Sequence, residues 1–323
     1  MDNSRLFFCS TYYHLYETLK IVIKDNEKTN VIILTTHDKE MKKLLSQCVE
    51  DLSIFPNVTE VIFRKRIKIF ELLGIEKLID KKLYKKKLLK YNFSETYLFT
   101  WNPYYFFRTS NLYFKNFKSK KTILIQESKL SYLFTKPSVF KEYLLKLMGV
   151  SFVKDKKNMI NEVRVSDPKK FEMIDFLNLK DINNFELSSE DKKNILDFFI
   201  RKKSDFDRII DISKEKVIIL TQPLSEDGYE SEDRKIYLYE EIVDEYKYTH
   251  KIFIKPHPRD TSDYSKLNVT VINKNFPSEL FEFVNVEFDV SIGVCTSAVY
   301  QIPSKKKINI NESYFEENKK GVF

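Results

Sequence analysis

Two short segments of this chain place acid–base and anion-binding groups directly behind strand-like sequence. The first is Leu220-Thr221-Gln222-Pro223-Leu224-Ser225-Glu226-Asp227-Gly228-Tyr229. The second is Phe253-Ile254-Lys255-Pro256-His257-Pro258-Arg259-Asp260. Each follows an apolar, β-branched run, Lys216–Leu220 and Lys251–Ile254, so each is read as leaving the end of a strand. In open α/β sheets the carboxyl ends of strands are where ligands bind. His257 is one of four histidines. Pro256 and Pro258 restrict its backbone, and Pro256 also pushes Lys255 into extended geometry. An imidazole titrates near neutral pH and can give a proton to a leaving phosphate oxygen. Arg259 follows at once, a planar fork suited to phosphate or carboxylate. In the other loop Asp227, or its neighbour Glu226, can take the proton of an attacking hydroxyl. Base, acid and anion binder in this arrangement suit group transfer from an activated phosphate donor.

Each group also has a blander reading. A lone histidine at a strand end is more often a hydrogen-bonded structural residue, and Asp-Gly is common in ordinary turns. A third segment, Ile292-Gly293-Val294-Cys295-Thr296-Ser297-Ala298-Val299-Tyr300, reads as strand, glycine turn and helix start. The hydroxyls and free amides there form an anion site, unless Thr296 is a plain N-cap. Two chemically loaded loops behind successive strands favour chemistry for the first two segments.

The elements that position these loops alternate. Strands are expected at Arg5–Cys9, Val31–Thr35, Val58–Phe63, Thr96–Phe99 and Thr122–Ile125, with helices at Tyr13–Lys24, Lys39–Asp51, Ile67–Tyr91 and Tyr104–Lys115. Ser166 to Ile212 is polar and helical in pattern. Ser188-Ser189-Glu190-Asp191 starts a helix expected over Glu190–Ile209. A second series follows, with strands at Val217–Thr221, Lys251–Ile254, Val269–Ile272, Phe288–Ile292 and Lys307–Ile310. Its helices are expected at Arg234–Tyr248, Pro277–Val284, Ser297–Ile302 and Ser313–Lys319, with Pro277 suited to a first turn. This rhythm is that of two doubly wound, mostly parallel α/β domains, expected at residues 1–160 and 161–323 and facing one another across a cleft.

With 323 residues, two domains are the natural expectation. Only 5 glycines are present, and neither a P-loop nor GxGxxG occurs. Cys9, Cys48 and Cys295 have no metal-ligand spacing and give no disulfide framework. No metal site is read. A reducing cytoplasm fits this cysteine usage. The opening residues show no signal-peptide pattern, and no stretch approaches the roughly 20 apolar residues of a membrane span. The formal net charge is +8, and eleven basic residues stand against three acidic ones between Arg64 and Lys90. Apolar residues are interleaved there at helical spacing. The stretch is either a solvated face or a contact with anionic lipid, with Lys85, Lys86 and Lys87 the clearest candidates. No nucleic-acid motif accompanies the charge.

The acidic turn after TQP, then KPHPR, then a strand-to-helix hydroxyl pair resembles the bacterial sialyltransferases of lipooligosaccharides and capsules, glycosyltransferase family fifty-two. Phe7-Phe8-Cys9-Ser10-Thr11 is similar to that family's opening strand and loop. The resemblance implies a GT-B fold and an inverting, metal-independent transfer of sialic acid from CMP-sialic acid to a sugar, with galactose the expected acceptor. It implies that His257 acts as acid on the CMP phosphate, and that Asp227 or Glu226 is the base. It also implies donor contacts at Pro258, Arg259, Gly293, Thr296, Ser297 and Thr11, and no cofactor. Relatives often carry an acidic pair plus glycine after a strand of the first domain; here Gln126-Glu127-Ser128 stands there, with Glu127 its one acidic residue. The expected partners are CMP-sialic acid, an oligosaccharide acceptor, an anionic membrane surface at the inner face of the plasma membrane, and a second copy in a homodimer. Rival readings are another GT-B envelope transferase (polysialyl, Kdo or polyol-phosphate) and a non-catalytic membrane-surface or polyanion-binding protein.

Overall fold

The structure is a computed structural model that describes residues 3–65, 75–107, 119–127, 135–147, 150–155, 160–171, 178–182, 186–200, 209 and 215–310. It divides into two compact units, Met1–Ile195 and Leu196–Phe323.

The first unit holds β1 (Ser4–Cys9), α1 (Tyr12–Lys24), β2 (Thr29–Thr36), α2 (Lys39–Asp51), β3 (Val58–Lys65), α3 (Glu76–Leu83) and β4 (Phe93–Thr100). After these come β5 (Tyr105–Phe107), β6 (Ser119–Gln126), α4 (Val139–Leu147), β7 (Val150–Phe152), β8 (Ile160–Val165), β9 (Leu179–Asp181) and the start of α5 (Ser189–Phe199), a helix that crosses the division at Ile195. Seven strands form one sheet in the order β3-β2-β1-β4-β6-β8-β9, all parallel. β1 is buried along its whole length. Continuous burial of Val31 to Leu34 marks β2 as covered on both faces, which is why these strands read as unbroken apolar runs. Helix starts follow local capping. The Thr11 hydroxyl accepts from the His14 amide, and the Asp38 carboxylate accepts from Met41 at 2.7 Å. Ser188 and Asp191 exchange bonds across the first turn of α5, as the sequence suggests.

The second unit holds β10 (Lys216–Leu220), α6 (Glu232–Tyr246), β11 (Lys251–Lys255), β12 (Thr270–Val271), β13 (Phe288–Val294) and β14 (Ser304–Ile310). Its sheet runs β12-β11-β10-β13-β14, again all parallel. Val217, Ile219, Ile252, Ile254 and Ile292 pack with Leu238, Tyr239 and Ile242 of α6 in its core. In both sheets the strand order reverses beside the first strand, between β1 and β4 and between β10 and β13. Such switch points open a crevice at the strand ends.

Several expectations are corrected. The junction expected at residue 160 falls inside β8, after its first residue. This strand pairs with β6 and carries β9 beyond it, so the first unit runs on to Ile195. β8 is hard to read because Asn161, Glu162 and Arg164 interrupt its apolar residues; Glu162 is held by Lys121 and Arg164. Residues 105–107, expected in a helix, form β5 antiparallel to β7, and 108–115 lie outside the described residues. Of the helix expected over Ile67–Tyr91, residues 67–74 lie outside them; the rest is α3 followed by one π-helical turn, Tyr84–Leu88. α5 ends at Phe199 and 201–208 lie outside, as does the helix expected at 313–319. The stretches after Pro277 and Thr296 are 3-10 helices, Ser278–Phe283 and Ser297–Gln301. Among the described residues no helix is long and apolar enough to cross a membrane.

Candidate active site

The loop after β10 is a compact turn. The Asp227 amide donates to Pro223 O at 2.9 Å and the Gly228 amide to Ser225 O at 3.1 Å. Gly228 sits at φ +76°, where a side chain would be strained. The loop after β11 closes by a bond from the Asp260 amide to His257 O at 2.9 Å, with Pro258 in the second position that suits its fixed φ. The rigid His-Pro turn expected from sequence is therefore present.

The two loops meet. Arg259 donates twice to Asp227, at 2.6 and 2.9 Å, with both side chains about a third exposed. Asp227 and Arg259, expected as base and phosphate binder, thus hold one another bidentately. Glu226 is saturated. One oxygen accepts from the Thr261 amide at 2.6 Å and its hydroxyl at 2.8 Å, and the other from Lys235 at 2.9 Å and Ser225 at 3.1 Å. Burial pushes its carboxyl up, but the bonds from Lys235 and Thr261 outweigh this and hold it down at about 2. So weak a base is a poor match for deprotonating a hydroxyl at neutral pH.

Beneath both loops lies a polar knot that sequence reasoning missed. Lys235 of α6 is fully buried and donates to Asp260 at 2.7 Å as well as to Glu226. Asp260 also accepts from the Thr221 hydroxyl, the Tyr264 hydroxyl at 2.7 Å and the Ser262 amide at 3.0 Å. Thr221 in turn accepts from the His257 amide at 3.2 Å. The available signal was Asp260 itself, directly behind KPHPR.

His257 Nδ1 accepts from the Arg259 amide at 3.1 Å, so the neutral ring carries its proton on Nε2. Burial, then Arg259 and Lys255, hold this imidazole down at about 4, against the pull of Asp260 and Asp227. Lys255 is buried at the end of β11 with its ammonium 4.5 Å from the centre of the Phe276 ring. Burial lowers it to about 8, and Glu279 opposes this.

The third segment behaves differently from its reading. Gly293 lies within β13, where a Cβ would stand 2.6 Å from Thr296 Cγ2 and 3.0 Å from Val299 Cβ. The turn that follows is made by Cys295, at φ +49°. Thr296 is buried, and its hydroxyl accepts from the Ala298 amide at 3.2 Å. It caps a five-residue 3-10 helix, too short to carry a helix dipole of any strength. Ser297 is half-buried beside it. Thr11 lies in the first unit, where it caps α1.

A second polar group occupies the strand ends of the first sheet. His14, 3% exposed, stacks on Phe99 with ring centres 4.1 Å apart. Its Nδ1 accepts from the Ser10 amide at 2.9 Å, and its Nε2 lies 3.2 Å from Glu127 Oε1. Sequence reading passed over His14, whose signal was a histidine in the first turn after the first strand. Ser128 and the residues to 134 lie outside the described residues. Among the described residues no three His, Cys, Asp or Glu side chains gather as a metal site.

Two Rossmann-like units of parallel sheet, each with a strand-order reversal beside its first strand, define a chain of the GT-B fold. Solved structures share it. A 2,6-sialyltransferase of Photobacterium sp. JT-ISH-224, in a complex with CMP and lactose, superposes with a TM-score of 0.59 at 13% identity, over 96% of this chain and 71% of its own. The GT-B domain of a Photobacterium damselae sialyltransferase gives 0.57 at 11% identity, over 93% and 88%. The UDP-GlcNAc 2-epimerase of Neisseria meningitidis gives 0.52 at 12%, over 92% and 78%. The model of glycosyltransferase family 52 matches residues 128–312, and the chain belongs to that family. A Haemophilus influenzae protein described as uncharacterized is 36% identical over 135 residues, 41% of this chain and 42% of its own length.

Proposed function

We propose that this family-52 chain moves sialic acid from CMP-sialic acid to a sugar hydroxyl of a bacterial surface glycan, with inversion and without a metal. The observation that carries the reading is the joining of the acidic turn after β10 to the His-Pro-Arg turn after β11, in a chain of this family. Arg259, held by Asp227 through two bonds, is the guanidinium that an incoming phosphodiester competes for. As the phosphate takes Arg259, Asp227 is released to accept the proton of the acceptor hydroxyl. That hydroxyl attacks the anomeric carbon as the bond to the CMP oxygen breaks, and the electron pair leaves with CMP. Glu226, saturated and strongly acidic, holds the loop in place.

The role of His257 follows from its bonds. Its Nδ1 is used by the Arg259 amide, so Nε2–H is the donor left for a phosphate oxygen. Proton transfer would require an imidazolium, which is scarce at neutral pH for a ring held at about 4. We therefore assign His257 as a hydrogen-bond donor to the departing phosphate. This replaces the general acid expected from sequence.

A screen of activated donors tests the reading. Turnover of CMP-sialic acid, lost in Asp227→Asn, is expected. Turnover of a different sugar nucleotide or polyol donor in its place makes the chain another envelope transferase. No turnover of any donor, with CMP binding also absent, leaves a non-catalytic protein.

A further inference from the structure

The chain holds one tryptophan, and it is not in a core. Trp101 is the first residue past β4 and is 41% exposed, whereas Phe99 two residues earlier is buried. Its indole stands edge-on to Tyr105, ring centres 6.1 Å apart. Glu127 is the first residue past β6, the neighbour of β4, and its amide donates to Thr100 O at 2.8 Å. Its side chain is 28% exposed, and Oε1 lies 3.2 Å from Nε2 of the buried His14. The Ser10 amide occupies Nδ1 of that ring, which leaves the ring proton on the nitrogen nearer the carboxylate. Phe99 fixes the ring by stacking. Ser10 and His14 come from the end of β1, so the group straddles the order reversal between β1 and β4. Open α/β sheets bind ligands at such places.

We propose that Trp101 and Glu127 form a subsite for an uncharged pyranose, with Trp101 the specificity-determining contact. One face of a pyranose is lined by C–H groups, which pack on an aromatic face. Its edge carries hydroxyls, which an ionised carboxylate accepts strongly. His14 is a positioning residue, holding Glu127 from one side so that the rest of the carboxylate meets the sugar. Charge sets the ligand class. A chain with 55 lysines and arginines places none at Ser10–His14, at Trp101–Tyr104 or at Glu127. A nucleotide could stack on the indole, but its phosphates would meet Glu127 with no cation among these residues. A sialylated sugar would bring its carboxylate against the same group. The inference rests on the reading of the chain as a sialic acid transferase and narrows it. The acceptor ends in a neutral sugar, and the product, now anionic, is not accepted again.

Because Trp101 is the sole tryptophan, the parent's intrinsic fluorescence reads this place directly, with no donor and no turnover. Lactose is expected to shift the emission and to shield it from acrylamide, and 3′-sialyllactose at the same concentration to do neither. In calorimetry Trp101→Ala should weaken lactose binding about tenfold and Glu127→Gln by a similar factor, while Trp101→Phe stays within about threefold of the parent. The same changes should appear in KM for lactose and leave KM for CMP-sialic acid unaltered. Emission that ignores lactose overturns the subsite, and if the parent still sialylates lactose the transferase reading survives. Emission that responds to lactose in a protein that turns over no donor supports the subsite and sinks that reading. An equal response to 3′-sialyllactose overturns the charge selection. A Glu127→Gln variant that binds lactose normally but cannot transfer overturns the assignment of Glu127 as a sugar contact and makes it the base.

Discussion

If His257 donates a hydrogen bond and never a proton, the pH profile of the reaction must show it. The imidazole is held at about 4, so near pH 7 only about one molecule in a thousand carries an imidazolium. A mechanism needing that form would start ~4 kcal/mol behind, comparable to everything a well-placed acid usually contributes, about 10²–10⁴-fold. Protonation also has to occur at Nδ1 and so breaks the bond from the Arg259 amide. Because kcat/KM reports the free enzyme, it should be flat across the neutral range and fall only as pH drops toward about 4. The assay is kcat/KM for CMP-sialic acid from about pH 4 to 8, on the parent, His257→Gln and His257→Ala. Glutamine keeps an N–H donor without titrating. It should retain activity within about tenfold of the parent, while alanine should lose ~10²–10³-fold, as expected for one charge-stabilising donor. A parent whose kcat/KM declines steadily as pH rises through neutrality, with glutamine as inactive as alanine, would refute the donor role and restore the general acid.

Three further outcomes follow from the bonds already described. Asp227→Asn should abolish transfer while CMP binding survives in equilibrium titration; full activity there would move the base to Glu127. Lys235→Met strips the counter-ion from an Asp260 side chain that is 0% exposed, and should cost about 3–5 kcal/mol of stability in chemical denaturation. A loss under about 1 kcal/mol would mean the lysine does not hold the knot. Glu226, held at about 2 against an ordinary 4.5, stabilises the fold above that ordinary value and loses the contribution as pH falls toward the lower one. Glu226 is an exposed residue, so solvent screening leaves about 1 kcal/mol of this; Glu226→Gln should flatten the acid limb of the stability profile, and an unchanged limb would contradict the assignment.

Much of the fold was legible because parallel strands covered on both faces announce themselves as apolar runs. β1, β2, β6, β10, β11 and β13 were all expected within a few residues of where they lie. What escaped depends on distant partners. β8 is polar in sequence and is a strand because β6 offers it an edge and Lys121 neutralises Glu162. β5 looks helical alone and pairs with β7 some forty-five residues on. The site divides in the same way. Asp227, His257 and Arg259 were visible as motif residues. That Asp227 would grip Arg259, and that Glu226 would be consumed by Thr261 and Lys235, depends on contacts 32, 35 and 9 residues apart. Thr296 was expected at the donor phosphate, with a plain cap as the rival reading; in the structure its hydroxyl caps the short helix that follows.

Lys235 fastens both loops from below, from α6 and not from either loop. Divergence therefore has two very different rates open to it. Tyr229, 69% exposed, and the outer parts of the two turns can be exchanged singly, each substitution judged only by the ligand it meets. Thr221, Glu226, Lys235 and Asp260 can change only together, because each is the bonding partner of another. An engineer seeking a new donor or acceptor would randomise the tips and leave those four alone, and a library that respects the split should yield folded variants far more often than one that does not.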